Sequence, residues 1–96
     1  MRSIPSVHPE NVTSLPSAAL RDKFLVSGLF APGAIELAYW EVDRTILGGA
    51  VPLAAPLELT ADAELRAASF CARRELGVIN LGGAGAIETD GVRHAM

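Results

Sequence analysis

The sequence predicts a mainly β domain, a sandwich or barrel of many short strands accompanied by one or two small helices. Three observations carry this. Short apolar runs rich in branched residues recur along the chain and are cut by glycine and proline. Ile35, Leu37 and Tyr39 alternate with Glu36, Ala38 and Trp40, the period of two expected of a strand with one buried face. Asp90-Gly91 lies between two β-prone runs, and an Asp-Gly pair in that position is a strong local signal for a hairpin.

Taken in order, residues 1–16 contain Pro5, Pro9 and Pro16 and read as an extended arm. Ser17 is placed to cap a short helix over 18–23. The apolar run 24–30 is closed by the turn signal Pro32-Gly33, and the alternating strand follows. Asp43-Arg44 leads into a second apolar segment, 45–51, whose Gly48-Gly49 pair marks a bulge or a close backbone approach. Residues 57–59 form a brief strand, and Thr60 is placed to cap a helix over 61–67, with Asp62 and Glu64 near its positive end. Residues 69–72 and 76–81 are short and β-prone, and 86–89 meets 92–95 across Asp90-Gly91.

Composition narrows the function classes. Ninety-six residues suit one small domain, and half of them are apolar, unlike a disordered tail. The net charge is -3 and the eight basic residues are scattered, which argues against a nucleic-acid or membrane-surface module. The single cysteine, Cys71, has no internal disulfide partner, as suits a reducing compartment. Residues 1–12 lack the apolar run of a signal peptide. The charge-free part of 45–57 is interrupted by Gly48, Gly49, Pro52 and Pro56 and is too short to span a bilayer. A cytoplasmic, soluble protein is expected.

Few residues offer chemistry. Gly83-Ala84-Gly85 follows a strand as a dinucleotide fingerprint would, but position 88 is Glu88 and the chain turns back at Asp90-Gly91, so no helix N-terminus is available for phosphates. His8 and His94 lie at opposite ends, and with Cys71 they give no local pair of metal ligands. Cys71 has Arg73 and Arg74 nearby but no histidine, so an inert buried thiol is expected rather than a nucleophile. Arg73-Arg74-Glu75 is the most interesting polar cluster. An arginine fork there would hold a substrate carboxylate, whereas an ion-paired surface turn or a subunit contact is the commoner role for such a cluster. Arg73 and Arg74 are thus the candidate substrate-binding residues, no catalytic residue is assigned, and no metal ligand is found. Asp43-Arg44 admits the same readings with less support. Tyr39 and Trp40 suit a sugar site but sit on an alternating strand, where aromatics serve the core.

The run Arg73-Arg74-Glu75-Leu76-Gly77-Val78-Ile79-Asn80, continuing through Gly82-Gly83-Ala84-Gly85, resembles the 5-keto-4-deoxyuronate isomerases, or 4-deoxy-L-threo-5-hexosulose-uronate ketol-isomerases. Leu20-Arg21, Phe24-Leu25-Val26, Asp43-Arg44, Gly48-Gly49, Pro52 and Asp90-Gly91 fall in that family's order and spacing, so the resemblance extends over about residues 17–94.

The resemblance implies a two-cupin chain, each half a β-sandwich of jelly-roll type, assembled into hexamers. It implies a ketol-isomerase that interconverts 5-dehydro-4-deoxy-D-glucuronate and 3-deoxy-D-glycero-2,5-hexodiulosonate in pectin and uronate breakdown. It also implies zinc, held by a His-x-His-x4-Glu motif and a later histidine in the second cupin. Nothing in residues 1–96 matches that motif. The expectation is therefore a partial cupin-like β-sandwich: an N-terminal arm over 1–16 and an incomplete first cupin over 17–96, an N-terminal fragment inactive by itself. A stand-alone half-cupin that associates with itself or with a full-length isomerase is the alternative, and a uronate-binding module using Arg73 or Arg74 is a third.

Overall fold

The computed structural model describes residues 1–96. Five strands and three short helical elements follow one another: β1 (Arg2–Ile4), α1 (Pro9–Val12), α2 (Ser17–Phe24), β2 (Ile35–Trp40), β3 (Thr45–Ala50), a 3-10 turn (Ala63–Leu65), β4 (Ala86–Thr89) and β5 (Val92–Ala95). The chain is mainly β, as expected, with its strands divided between two small sheets. One has the order β1-β2-β3 and the other is the hairpin β4-β5.

The central strand is β2. It pairs antiparallel with β3, from Ile35 opposite Ala50 to Trp40 opposite Thr45. The connecting turn ends on Arg44, whose φ of 51° is the left-handed conformation that brings the chain back into register. Along the other edge β1 runs parallel to β2, with Ser3 opposite Tyr39. The arm expected over 1–16 therefore begins as a sheet strand, and Ile4 is 6% exposed. Proline content concealed this, because Pro5 ends the strand rather than preventing it.

Which face of β2 is buried also differs from the sequence pattern. Ile35, Leu37 and Tyr39 are only half-buried, whereas Ala38, on the opposite face, is fully enclosed. On that same face Trp40 meets Phe24 at the end of α2, ring centroids 6.5 Å apart and nearly perpendicular. Its indole N–H donates to the Lys23 carbonyl at 3.3 Å. That edge-to-face contact with a satisfied N–H docks α2 onto the sheet. α2 itself starts one residue earlier than expected: Pro16 occupies the cap position without a side-chain hydrogen bond, and Ser17 is already helical. Arg21 and Lys23 lie in its last turn, where positive charge suits the helix dipole.

Gly49 is the close approach anticipated for the Gly48-Gly49 pair. It is buried, and a Cβ there would run into the backbone carbonyl of Leu29 and the Phe30 ring. The segment 24–30 thus crosses directly over β3. Asp90 and Gly91 both have positive φ, 50° and 76°, which is the mirror-image turn expected between β4 and β5. Replacing Gly91 with alanine is expected to cost about 1 kcal/mol of hairpin stability, read as loss of amide protection in 85–96.

Several β-prone segments are not strands. Residues 57–59, 69–72 and 76–81 belong to neither sheet, and the helix expected over 61–67 is the single 3-10 turn, capped at Asp62 rather than Thr60. The chain is correspondingly open. Its radius of gyration is 15.8 Å, against about 12.5 Å for a compact domain of this length. Its accessible surface is 7488 Å², against about 5,200 Å² for a folded monomer of 10.0 kDa. Only Ile4, Ala38 and Phe70 are buried apolar side chains.

Candidate functional site

The arginine cluster lies in an irregular loop after the 3-10 turn, not on a strand. Arg66, the C-cap of that turn, adopts φ 45°, which swings the chain so that 67–74 folds back over it. Phe70 fills the centre of the loop and is 6% exposed. Arg73 Nη2 donates to the Arg66 carbonyl at 2.6 Å, closing the loop across its neck. The Arg74 guanidinium lies over the Phe70 ring, 5.2 Å from its centroid. The two arginines therefore do different work. Arg73 is a backbone clasp on the surface, while Arg74 is half-buried and stacked.

Arg74 is the chemically open one. Its Nη1 is enclosed by protein and has no hydrogen-bond partner, a costly state for a charged donor unless an acceptor is supplied. Stacking leaves the planar edge of a guanidinium free to take a carboxylate. Neither arginine pairs with a carboxylate here, and Glu75 is exposed without an ion pair, so the cluster is not an ion-paired turn. Cys71 is exposed rather than buried, because 69–72 turns instead of running as a strand.

Two features had no signal in the local sequence pattern. The Met1 α-ammonium is 3.1 Å from Asp62 Oδ2, and the Met1 side chain is almost wholly covered. This pair stands at one side of an open depression of about 300 Å³ lined also by Arg2, Leu29 and Glu36. The Asp62 carboxylate, by hydrogen bond and by charge, holds the Met1 amine above its ordinary range. A raised folded-state value stabilises the fold below the amine's unfolded value, about 8, and that contribution is lost as pH rises through the folded value. Stability is therefore expected to decline on the alkaline side of about pH 8, and Asp62→Asn is expected to flatten that part of the profile. Chemical denaturation followed against pH checks both.

No three of the histidine, cysteine, aspartate and glutamate side chains gather as a metal site. His8 caps α1, its Nδ1 accepting from the Glu10 N–H at 3.3 Å. The same nitrogen lies 3.9 Å from Glu10 Oε2. His94 stands on β5 opposite Ile87, on an exposed strand. The residues present do not fit a zinc ion. After Gly83-Ala84-Gly85 the chain enters β4, a strand, so no helix dipole faces a phosphate there either.

Comparison with known proteins gives this loop its context. The chain is 48% identical over 92 residues to the 4-deoxy-L-threo-5-hexosulose-uronate ketol-isomerase of Burkholderia cenocepacia, a match covering 94% of this chain and 33% of that protein. It is homologous to ketol-isomerases. The ketol-isomerase 1 of Enterococcus faecalis is 48% identical over 88 residues, and that of Halalkalibacterium halodurans 42% over 88 residues. The chain spans about a third of the length of the ketol-isomerases it matches. No family model matches it, and no solved structure matches it significantly. No helix is long and apolar enough to cross a membrane.

Proposed function

We propose that this chain is the first-cupin portion of a 4-deoxy-L-threo-5-hexosulose-uronate ketol-isomerase and serves it as scaffold and assembly surface rather than as the seat of the reaction. The observation that carries the reading is identity of 42–48% to ketol-isomerases along more than nine-tenths of the chain. In this reading residues 17–96 are an incomplete first cupin, and the arm 1–16 straps onto it through β1. The whole protein is a cytoplasmic, hexameric enzyme of pectin and uronate breakdown that interconverts 5-dehydro-4-deoxy-D-glucuronate and 3-deoxy-D-glycero-2,5-hexodiulosonate. Its zinc ligands lie outside these 96 residues, in keeping with the scattered histidines.

The uronate carboxylate is the substrate group whose chemistry suits a guanidinium. Arg74, half-buried and stacked on Phe70, is the candidate to bind it, and Arg73 holds the loop in which Arg74 sits. The test is a chimera in which this chain replaces the matching third of the Burkholderia cenocepacia isomerase. The chimera is expected to turn over the uronate with bound zinc, and the 96-residue chain alone to show neither turnover nor stoichiometric metal. Turnover with zinc by the chain alone would overturn the scaffold role. A folded, zinc-loaded but inactive chimera would overturn the isomerase assignment. In the chimera, Arg74→Ala is expected to raise KM by roughly tenfold to a hundredfold with kcat little changed, the value of one charge-assisted hydrogen bond, and Arg74→Lys to recover part of it.

A second reading is favoured by the extent of exposed apolar surface: a non-catalytic half-cupin that pairs with itself or with a full-length isomerase. Stable association without metal or turnover distinguishes it.

A further inference from the structure

The loop that carries the two arginines keeps its shape almost without backbone hydrogen bonds. Between residues 67 and 74 there is one, from the Ala72 N–H to the Ser69 carbonyl at 3.2 Å. Side chains and one unusual dihedral hold the rest. Arg66 turns the chain back at φ 45°, and Phe70 is enclosed within the turn. Arg73 Nη2 then donates to the Arg66 carbonyl at 2.6 Å, joining residues seven positions apart. Arg74 is the very next residue, so its backbone is fixed at the point where that contact closes. Its guanidinium is laid over the Phe70 ring from there. Arg73 is thus engaged with the protein's own backbone, while Arg74 makes no hydrogen bond to an acceptor through its enclosed Nη1.

We infer that Arg73 is a positioning residue for substrate binding, given the carboxylate role proposed above for Arg74. Its hydrogen bond to the Arg66 carbonyl fixes where the Arg74 guanidinium stands, and Arg74 alone meets the uronate carboxylate. The cluster is one ligand with one support, not a fork of two arginines. Charge-assisted pairing with a carboxylate depends on the orientation of a planar group, so the side chain that sets this orientation contributes to affinity without touching substrate. The contacts concerned all lie between residues 66 and 74, whatever packs against the loop from outside.

The test is a double-mutant cycle in the full-length chimera, with zinc content and far-UV circular dichroism as checks on folding. Arg73→Met keeps the aliphatic stem and removes every donor. Alone it is expected to raise KM about fivefold with kcat little changed, as loss of one hydrogen bond would. Added to Arg74→Ala it is expected to raise KM by less than about twofold more, because the group it positions is gone. Arg73→Lys, which keeps a donor on a long stem, is expected to recover part of the loss. Amide exchange over 66–74 is expected to quicken in Arg73→Met whether or not Arg74 is present. Should Arg73→Met fail to fold, the same cycle with Arg73→Lys must show the same dependence on Arg74. Full multiplication of the two single losses would make Arg73 an independent ligand, overturning the inference and leaving the role of Arg74 standing. An unchanged KM in Arg73→Met, or a fall in kcat and zinc content matching the rise in KM, would overturn it too. Arg74→Ala with the parent KM, or a folded, zinc-loaded chimera without turnover, would overturn the carboxylate reading and this inference together.

Discussion

Gly49→Ala is expected to remove about 3 kcal/mol of stability, enough to lower Tm by roughly 10–20 °C. The added methyl has nowhere to go. It would overlap the Leu29 backbone carbonyl, and the Phe30 ring closes the other side at 2.9 Å. Backbone gives way only by moving the whole crossing segment 24–30, and with it the end of α2 that packs on Trp40. The neighbouring glycine is the control. A Cβ at Gly48 would meet Leu37 Cδ2 at 2.6 Å, the far end of a half-buried side chain that can change rotamer. Gly48→Ala is therefore expected to stay within about 1 kcal/mol of the parent, since strand alanine recovers some backbone entropy. Urea unfolding of the two variants side by side checks the contrast. Equal effects would mean that the crossing over β3 is looser than its geometry.

Phe70→Ala is expected to cost about 3 kcal/mol, the cost of emptying a buried phenylalanine site. Phe70 is the one large side chain enclosed in the loop between the 3-10 turn and the glycine-rich run, and the Arg74 guanidinium is held by its ring. Removing the ring takes away the stacking surface and leaves Arg74 free to turn into water. Phe70→Leu retains most of the buried area and is expected to cost about 1 kcal/mol, while losing the cation–π contact. In the chimeric enzyme the two substitutions separate loop stability from carboxylate binding. Phe70→Leu is expected to raise KM with about a third of the Tm loss that Phe70→Ala causes.

Which elements are legible in the sequence follows from where their partners lie. The alternation of Ile35 to Trp40, the return through β3 and the Asp90-Gly91 turn are local, and each closes on residues nearby in the chain. β1 escaped notice because its partner is β2, more than thirty positions away, and a three-residue strand next to Pro5 has too little pattern of its own. The opposite error concerns 69–72 and 76–81. Their propensity is genuine, but a strand exists only against another strand, and this chain offers them none. The arginine cluster was visible as a polar break between apolar runs. Its division into a clasp and a stacked guanidinium was not, because that depends on Arg66 taking a left-handed conformation and on Phe70 folding beneath Arg74. The Met1–Asp62 contact was equally invisible, being a meeting of groups about sixty positions apart in the chain.

The parallel pairing of β1 with β2 has a consequence for vectorial synthesis. Arg2–Ile4 cannot be captured until Ile35–Trp40 has followed it out of the ribosome, and β2 can close on β3 through a short turn well before it recruits a strand from so far away. Of the three strands in this sheet, the earliest made is thus the last to join. Throughout that interval Ile4 is an unprotected apolar residue on the nascent chain, within reach of chaperones and proteases.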